Sequence, residues 1–250
     1  MVPRKLLLCL LAVLTVSGCA ADDGFNKDAA LGLGVGVLQA TTLDENSVKQ
    51  TASLAAEEMD RKHEVAPEGN PYAIRLQNLT GGLRNYGGQN FDFKVYLAEE
   101  VNAFAMADGT VRVYSGLMEA MPDEQVLAVI CHEIGHVQLK HSYNQMKEMI
   151  LTDTAFKAAV SVGGTIGTLT SSQLGKLGQA AVNAHFSRED ELEADNFAVR
   201  TLNDLGHDPY AMLRAIETLQ ARFGSGGGFL SSHPANEKRI ANIKKAAERL

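Results

Sequence analysis

The stretch Cys131-His132-Glu133-Ile134-Gly135-His136-Val137 decides how the rest of the chain is read. Two histidines four residues apart on a helix lie on one face, one turn apart. Both imidazoles can then reach a single zinc ion, with Glu133 beside the attacking water. The helix is predicted from the surrounding residues. Pro122-Asp123-Glu124 places a proline and two acids at a first turn, and Val126, Leu127, Val129, Ile130, Ile134 and Val137 continue an apolar face at helical spacing. A glutamate on such a helix is expensive to bury without a partner, so the pattern points to peptide-bond hydrolysis rather than to a core helix with incidental histidines.

Catalytic zinc takes three protein ligands and keeps one position open, which sends the reading downstream. The stretch Phe186-Ser187-Arg188-Glu189-Asp190-Glu191-Leu192-Glu193-Ala194-Asp195 is acidic and helix-forming, and Phe197, Ala198 and Leu202 extend its apolar face. Four carboxylates compete for the metal. Glu191 and Asp195 share one face, so one can bind the ion while the other orients a ligand imidazole; Glu189 and Glu193 share a different face. Taken alone, the segment reads as a solvated acidic helix with Arg188 and Arg200 as charge partners.

Together these residues resemble the zinc metallopeptidases that include the prenyl-protein protease of the endoplasmic reticulum and the bacterial heat-shock protease HtpX. The likeness rests on HExxH, on Ser187-Arg188, and on a helix reading Glu, any two residues, Ala-Asp at Glu191 to Asp195. It implies Glu191 as third ligand, Asp195 behind the ligands, one Zn²⁺ per chain and Glu133 as general base. The implied fold is α+β and mainly helical, a zincin-like metallopeptidase domain with a small sheet beside the HExxH helix. Val101 to Ala105 with Gly116-Leu117-Met118 looks like the family's segment before that helix, and Ser232-His233-Pro234 with Arg239 looks like its late His-Pro and arginine. By the same likeness His233 and Arg239 stabilise the oxyanion, or His233 fills the open zinc position and holds the resting enzyme inactive. Cys131 stands where the family pattern leads one to expect a small residue, so its thiol has to fit near the metal.

The amino terminus predicts a location. Arg4 and Lys5 precede an apolar run from Leu6 to Val16, too short for a comfortable membrane span, and Val16-Ser17-Gly18-Cys19 resembles a lipobox. Residues 1–18 therefore read as a lipoprotein signal peptide, 19–43 as a lipidated Cys19 with a linker, and 44–250 as the metallopeptidase domain. Several acyl chains on one residue exceed the two signals that stable anchoring requires. Ala20 and Ala21 follow the cysteine without an aspartate, which by resemblance to bacterial sorting points to the outer membrane and a periplasmic domain. With Cys9 cleaved away and Cys19 modified, Cys131 is alone and no internal disulfide is available. A hydrophobic content of 45% and a formal net charge of -7 suit an ordinary soluble domain, and the absence of a basic block argues against nucleic acid as a partner.

The function so predicted is protein quality control: a membrane-anchored zinc metalloendopeptidase that cleaves unfolded or misassembled envelope proteins, with the outer-membrane assembly machinery as a possible partner. The competing class is a zinc-containing chaperone or scaffold for outer-membrane proteins with latent protease activity. Glu133 weighs against that class, because a structural site gains nothing from a general base and favours a closed fourth ligand.

Elsewhere the spacing predicts a helix from about Asp44 to His63 with Val48, Leu54, Ala55 and Met59 inside, a turn at Glu68-Gly69-Asn70-Pro71, and a second helix through Leu83. Phe93, Val95 and Leu97 alternate with Lys94 and Tyr96, and Val111 and Val113 with Arg112 and Tyr114, so short strands flank the hairpin-like Ala107-Asp108-Gly109-Thr110. Asn102 to Met106 is the expected edge strand, and Asn102, Ala103, Phe104 and Ala105 are expected to bind an extended substrate by main-chain hydrogen bonds. Leu151 to Val182 reads as two short helices packed over the active site, Gly224 to Gly228 as a loop that frees His233 to approach the metal, and His141 as a residue packed near the site.

Overall fold

The protein is described by a computed structural model over residues 43–152, 169–183, 185–224 and 226–250. The signal, Cys19 and much of the glycine-rich segment lie outside the described residues. Helix α1 (Glu45–Lys62) starts where Asp44 accepts from the Ser47 N–H at 2.7 Å; its first turn carries Glu45 and its last turn Arg61 and Lys62. Both ends thus complement the helix dipole. Val48, Ala55 and Met59 are buried, whereas Leu54 is only half-buried. Helix α2 (Pro71–Thr80) is capped by Asn70 and ends before Gly81-Gly82, three residues short of the predicted Leu83.

Strands β1 (Asn85–Tyr86) and β2 (Gln89–Asn90) form a small hairpin ahead of a three-stranded sheet. The sheet holds β3 (Asp92–Tyr96), β4 (Ala103–Ala105) and β5 (Thr110–Tyr114) in the order β3-β5-β4. Asp108 accepts from the Thr110 N–H and hydroxyl, and Gly109 takes φ 97, so the predicted hairpin turn forms. It joins β4 to β5, with Ala103 opposite Val113 and Ala105 opposite Val111. β3 instead runs parallel to β5 on the far side, because alternation fixes a strand's faces but not its direction.

A second difference concerns those faces. The positions that alternate with the valines, Tyr96, Arg112 and Tyr114, do not meet solvent; all are buried. Helices α1, α5 (His141–Thr152) and α6 (Ser171–Val182) cover that side, and Asp60 of α1 receives Arg112 Nε at 2.8 Å and Nη2 at 3.0 Å. A bidentate carboxylate makes the buried guanidinium tolerable. α6, the described part of the segment expected to pack over the active site, packs chiefly on α1 and also meets α5 and β4.

The opposite face of the sheet carries the site. A short α3 (Ser115–Ala120) leads through Pro122, which is the N-cap, into α4 (Asp123–Gln138). Every residue from Gln125 to Val137 is buried, so α4 is a central helix rather than one with a single apolar stripe. It is enclosed by β4, β5, α7 (Arg188–Asp204) and α8 (Ala211–Phe223), and α9 (Glu237–Ala247) closes over α7. Leu127, Ile130, Ile134, Val199, Leu202 and Ile216 belong to this core; truncating one of them to alanine costs about 2–5 kcal/mol. No helix among the described residues is long and apolar enough to cross a membrane.

Candidate active site

His132, Glu133 and His136 sit on α4, and Glu191 and Asp195 on α7. The two helices meet tightly because of Gly135: a Cβ there would lie 3.2 Å from Ala194 Cα and 3.2 Å from Phe197 Cβ. α7 starts at the capping box of Ser187 and Asp190, which puts Glu189, Asp190 and Glu191 in a first turn whose dipole favours their charge.

The ligand atoms converge. His132 Nε2 lies 3.1 Å from His136 Nε2, Glu191 Oε1 lies 3.4 Å from His136 Nε2, and Glu191 Oε2 lies 3.6 Å from His132 Nε2. His233 joins them from the segment after a 3₁₀ turn at Gly228–Ser231, with Nδ1 3.0 Å from Glu191 Oε1 and 3.3 Å from His132 Nε2. One atom from each of these four buried side chains falls within 4.8 Å of all the others. Glu133 Oε1 is buried without a hydrogen-bond partner, and Glu191 Oε2 has the Arg239 guanidinium beside it. Converged imidazole and carboxylate donors of this kind fit a single zinc ion.

Electrostatics follow from burial. Desolvation holds His136 well below the ordinary histidine range, so its ring is neutral as a ligand must be. Burial works against the Glu191 charge, yet the His233, His136 and His132 rings overcome it and keep the carboxyl far below its usual range. Burial pushes Glu133 up, opposed by the His233 and His132 rings and by the Ala105 N–H of the edge strand. Glu133 Oε1 also stands 3.4 Å from His233 Nε2.

Behind the ligands, Asp195 Oδ1 lies 3.0 Å from His132 Nδ1, at an angle poor for a hydrogen bond. Arg239 locks Asp195 in place through Nε at 2.8 Å and Nη2 at 2.7 Å. Its Nη1 donates to the His233 carbonyl at 2.8 Å and lies 2.6 Å from Glu191 Oε2. The guanidinium therefore faces two buried carboxylates and backbone, which balance its charge.

The structure places the predicted substrate strand at the sheet edge, where β4 packs on α4. Asn102 accepts from the Ala103 N–H at 2.9 Å, which occupies one of the outward main-chain donors. Cys131, expected near the metal, is fully buried within the apolar core, and burial pushes its thiol pKa far up. The thiol is thus a packing group, not a ligand.

Sequence reasoning missed two aromatic neighbours. Phe186 stacks on His136 with ring centroids 3.7 Å apart and planes at 17°, and Phe229 stacks on His233 at 4.3 Å and 9°. Phe186 stands immediately before the helix cap, where an apolar residue ordinarily reads as a staple for the helix itself. Its other neighbours open into a cavity of about 630 Å³, lined by Arg188, Glu191, Pro234, Ala235 and Lys238 among others. The ligands themselves are closed off, none more than 3% exposed.

The sequence profile of Peptidase family M48 matches residues 80–247, which span both metal helices and α9. The chain is 39% identical to the metalloprotease LoiP of Escherichia coli K12 over 96% of its own length and 95% of the relative's. It is 35% identical to the metalloprotease YcaL of the same organism, over 94% and 95% of the two chains. The beta-barrel assembly-enhancing protease of Escherichia coli K12 is 30% identical over 64% of this chain and 35% of its own. With ligand-type residues gathered on α4 and α7 and the family profile covering both, the chain belongs to Peptidase family M48 and is a zinc metalloprotease.

Proposed function

We propose that the protein is an envelope quality-control protease, lipidated at Cys19, held at the outer membrane with its domain in the periplasm, and acting on unfolded or misassembled envelope proteins. The lipobox-like Val16-Ser17-Gly18-Cys19 supports the location. The likeness to a beta-barrel assembly-enhancing protease supports failed outer-membrane assemblies as substrates and the assembly machinery as a partner.

In this reading His132, His136 and Glu191 would hold the zinc, which when bound would supply Lewis-acid polarisation of a carbonyl and a more acidic water. Glu133, whose Oε1 is buried without a hydrogen-bond partner, would act as the base that takes a proton from the attacking water and hands it to the departing amide nitrogen. Asp195 orients His132, and Arg239 acts by positioning Asp195 and Glu191 rather than by touching substrate. Ala103 and Ala105, with Phe104 between them and Asn102 beside them, would align an extended peptide through their outward carbonyls, since their N–H groups face Asn102 Oδ1 and Glu133. His233, with Nδ1 3.0 Å from Glu191 Oε1 and 3.3 Å from His132 Nε2, would compete with substrate for the site and keep the enzyme latent at rest.

The observation that carries this reading is the convergence of His132, His136 and Glu191 with His233, whose Nε2 lies 3.4 Å from the buried Glu133 Oε1. Cleavage of casein by the lipid-free protein, with and without chelator and beside Glu133→Gln, tests it. Activity confined to the metal-loaded parent supports the reading; undiminished activity in the variant refutes it. The buried, closed ligand set also favours a second reading, a zinc-stabilised scaffold whose proteolysis stays latent. Full outer-membrane assembly support by Glu133→Gln in cells would favour that one.

A further inference from the structure

The two metal-facing histidines have different supports. Behind His132 stands the buried Asp195–Arg239 pair, whereas behind His136 stands another imidazole: His136 Nδ1 and His141 Nδ1 are 3.1 Å apart. His141 is 6% exposed, and its far nitrogen Nε2 reaches Glu193 Oε2 at 3.3 Å and Asp190 Oδ1 at 3.4 Å on α7.

Geometry fixes the protons in this row. His136 Nε2 faces Glu191 and His132, so its lone pair must point there if it is to hold a metal, and the ring's one hydrogen sits on Nδ1. That hydrogen can only be donated to His141 if His141 Nδ1 presents a lone pair. The His141 hydrogen then sits on Nε2 and is donated toward Glu193 and Asp190. Each step dictates the next, and the row ends on acids at the surface.

The backbone is bent to make this contact. Lys140, between α4 and α5, has φ 64, the sole non-glycine with positive φ among the described residues. The left-handed residue at the end of α4 turns the chain so that His141, the first residue of α5, comes back against His136. A left-handed lysine costs more than a glycine would there, and its Nζ pairs with Glu45 Oε2 at 2.8 Å.

We propose that His141 is a positioning residue for the zinc: with Glu193 and Asp190 it fixes the ring orientation and the Nδ1–H tautomer of His136, and so sets the affinity of the site. The proposal rests on the zinc reading above and deepens it, since no metal contact is assigned to His141 itself.

Zinc dissociation constants by competition with a chromophoric chelator, on the full-length protein, test it. Removing such a support costs about 10–100-fold in metal affinity. His141→Phe, which keeps bulk and loses the acceptor, is expected to show that loss. His141→Asn, whose side-chain oxygen can accept from His136 Nδ1, is expected to recover most of it. Far-UV circular dichroism and urea unfolding of the metal-free proteins serve as the folding control, and should His141→Phe not fold, the comparison is made between His141→Asn and His141→Ala. Parent-like zinc affinity in the acceptor-less variant, or an Asn variant as weak as the acceptor-less one, overturns the proposal. If the parent binds no zinc at all, it is the zinc reading that has failed.

Discussion

Gly135 lies against Ala194 so closely that a single added carbon would sit 3.2 Å from the Ala194 Cα. The residue between Glu133 and His136 is therefore what allows α7 to bring Glu191 within reach of both imidazoles. Gly135→Ala gains helix propensity but requires Ala194 and Phe197 to give way by a few tenths of an ångström. Overpacking of this kind costs about 1–3 kcal/mol. The variant is expected to unfold at lower urea concentration and to bind zinc more weakly; unchanged zinc affinity by chelator competition would show that the α4–α7 distance does not set the site.

Phe186 lies flat on His136 between the ligands and the cavity beside Glu191. Phe186→Ala is expected to let a chelator strip zinc severalfold faster, read as the rate of metal transfer, while the equilibrium fold is kept. A parent-like stripping rate would mean that the ion leaves by another route.

His233 places Nδ1 among the ligand atoms and its other nitrogen 3.4 Å from Glu133 Oε1. If it holds the fourth zinc position at rest, His233→Ala raises casein turnover severalfold. A fall in turnover would assign it to the oxyanion instead.

Asp60 ties α1 to the sheet through Arg112, Lys94 and the Tyr96 hydroxyl. Burial opposes its charge, but these donors outweigh burial and bring its pKa from 3.8 to about 2. A carboxyl lowered on folding contributes stability that is complete above the unfolded value and disappears as pH falls toward the folded one. The contribution is on the order of 2 kcal/mol, present at neutral pH and lost between about pH 4 and pH 2. Asp60→Asn should therefore lower the urea midpoint at pH 7, and the gap to the parent should narrow as the pH drops through that window. A gap independent of pH would show that the charge is not what holds α1.

The sequence revealed the metal helices most fully, because HExxH and the Glu191–Asp195 pair are local patterns whose spacing states which side chains share a face. His233 and Arg239 had no such spacing: they reach the site across a glycine loop and a separate helix, and only family likeness pointed to them. The partner of Arg112 was illegible for a related reason. Alternation assigns a polar residue to solvent, and nothing in the sequence near Arg112 says that Asp60, 52 residues away, will meet it inside. The direction of β3 was illegible on the same ground, since a strand's pattern is symmetric under reversal. His141 was legible as a neighbour but not as a partner of His136; its aim depends on the left-handed Lys140, a conformation that a lysine does not announce.

The central claim is that two imidazoles and Glu191 hold one zinc ion. Zinc content per chain, measured on the purified protein and on Glu191→Ala after identical dialysis, tests it most directly. The account predicts one zinc per chain in the parent and its loss from the variant. A parent without zinc, or a variant that keeps its full complement, would contradict it.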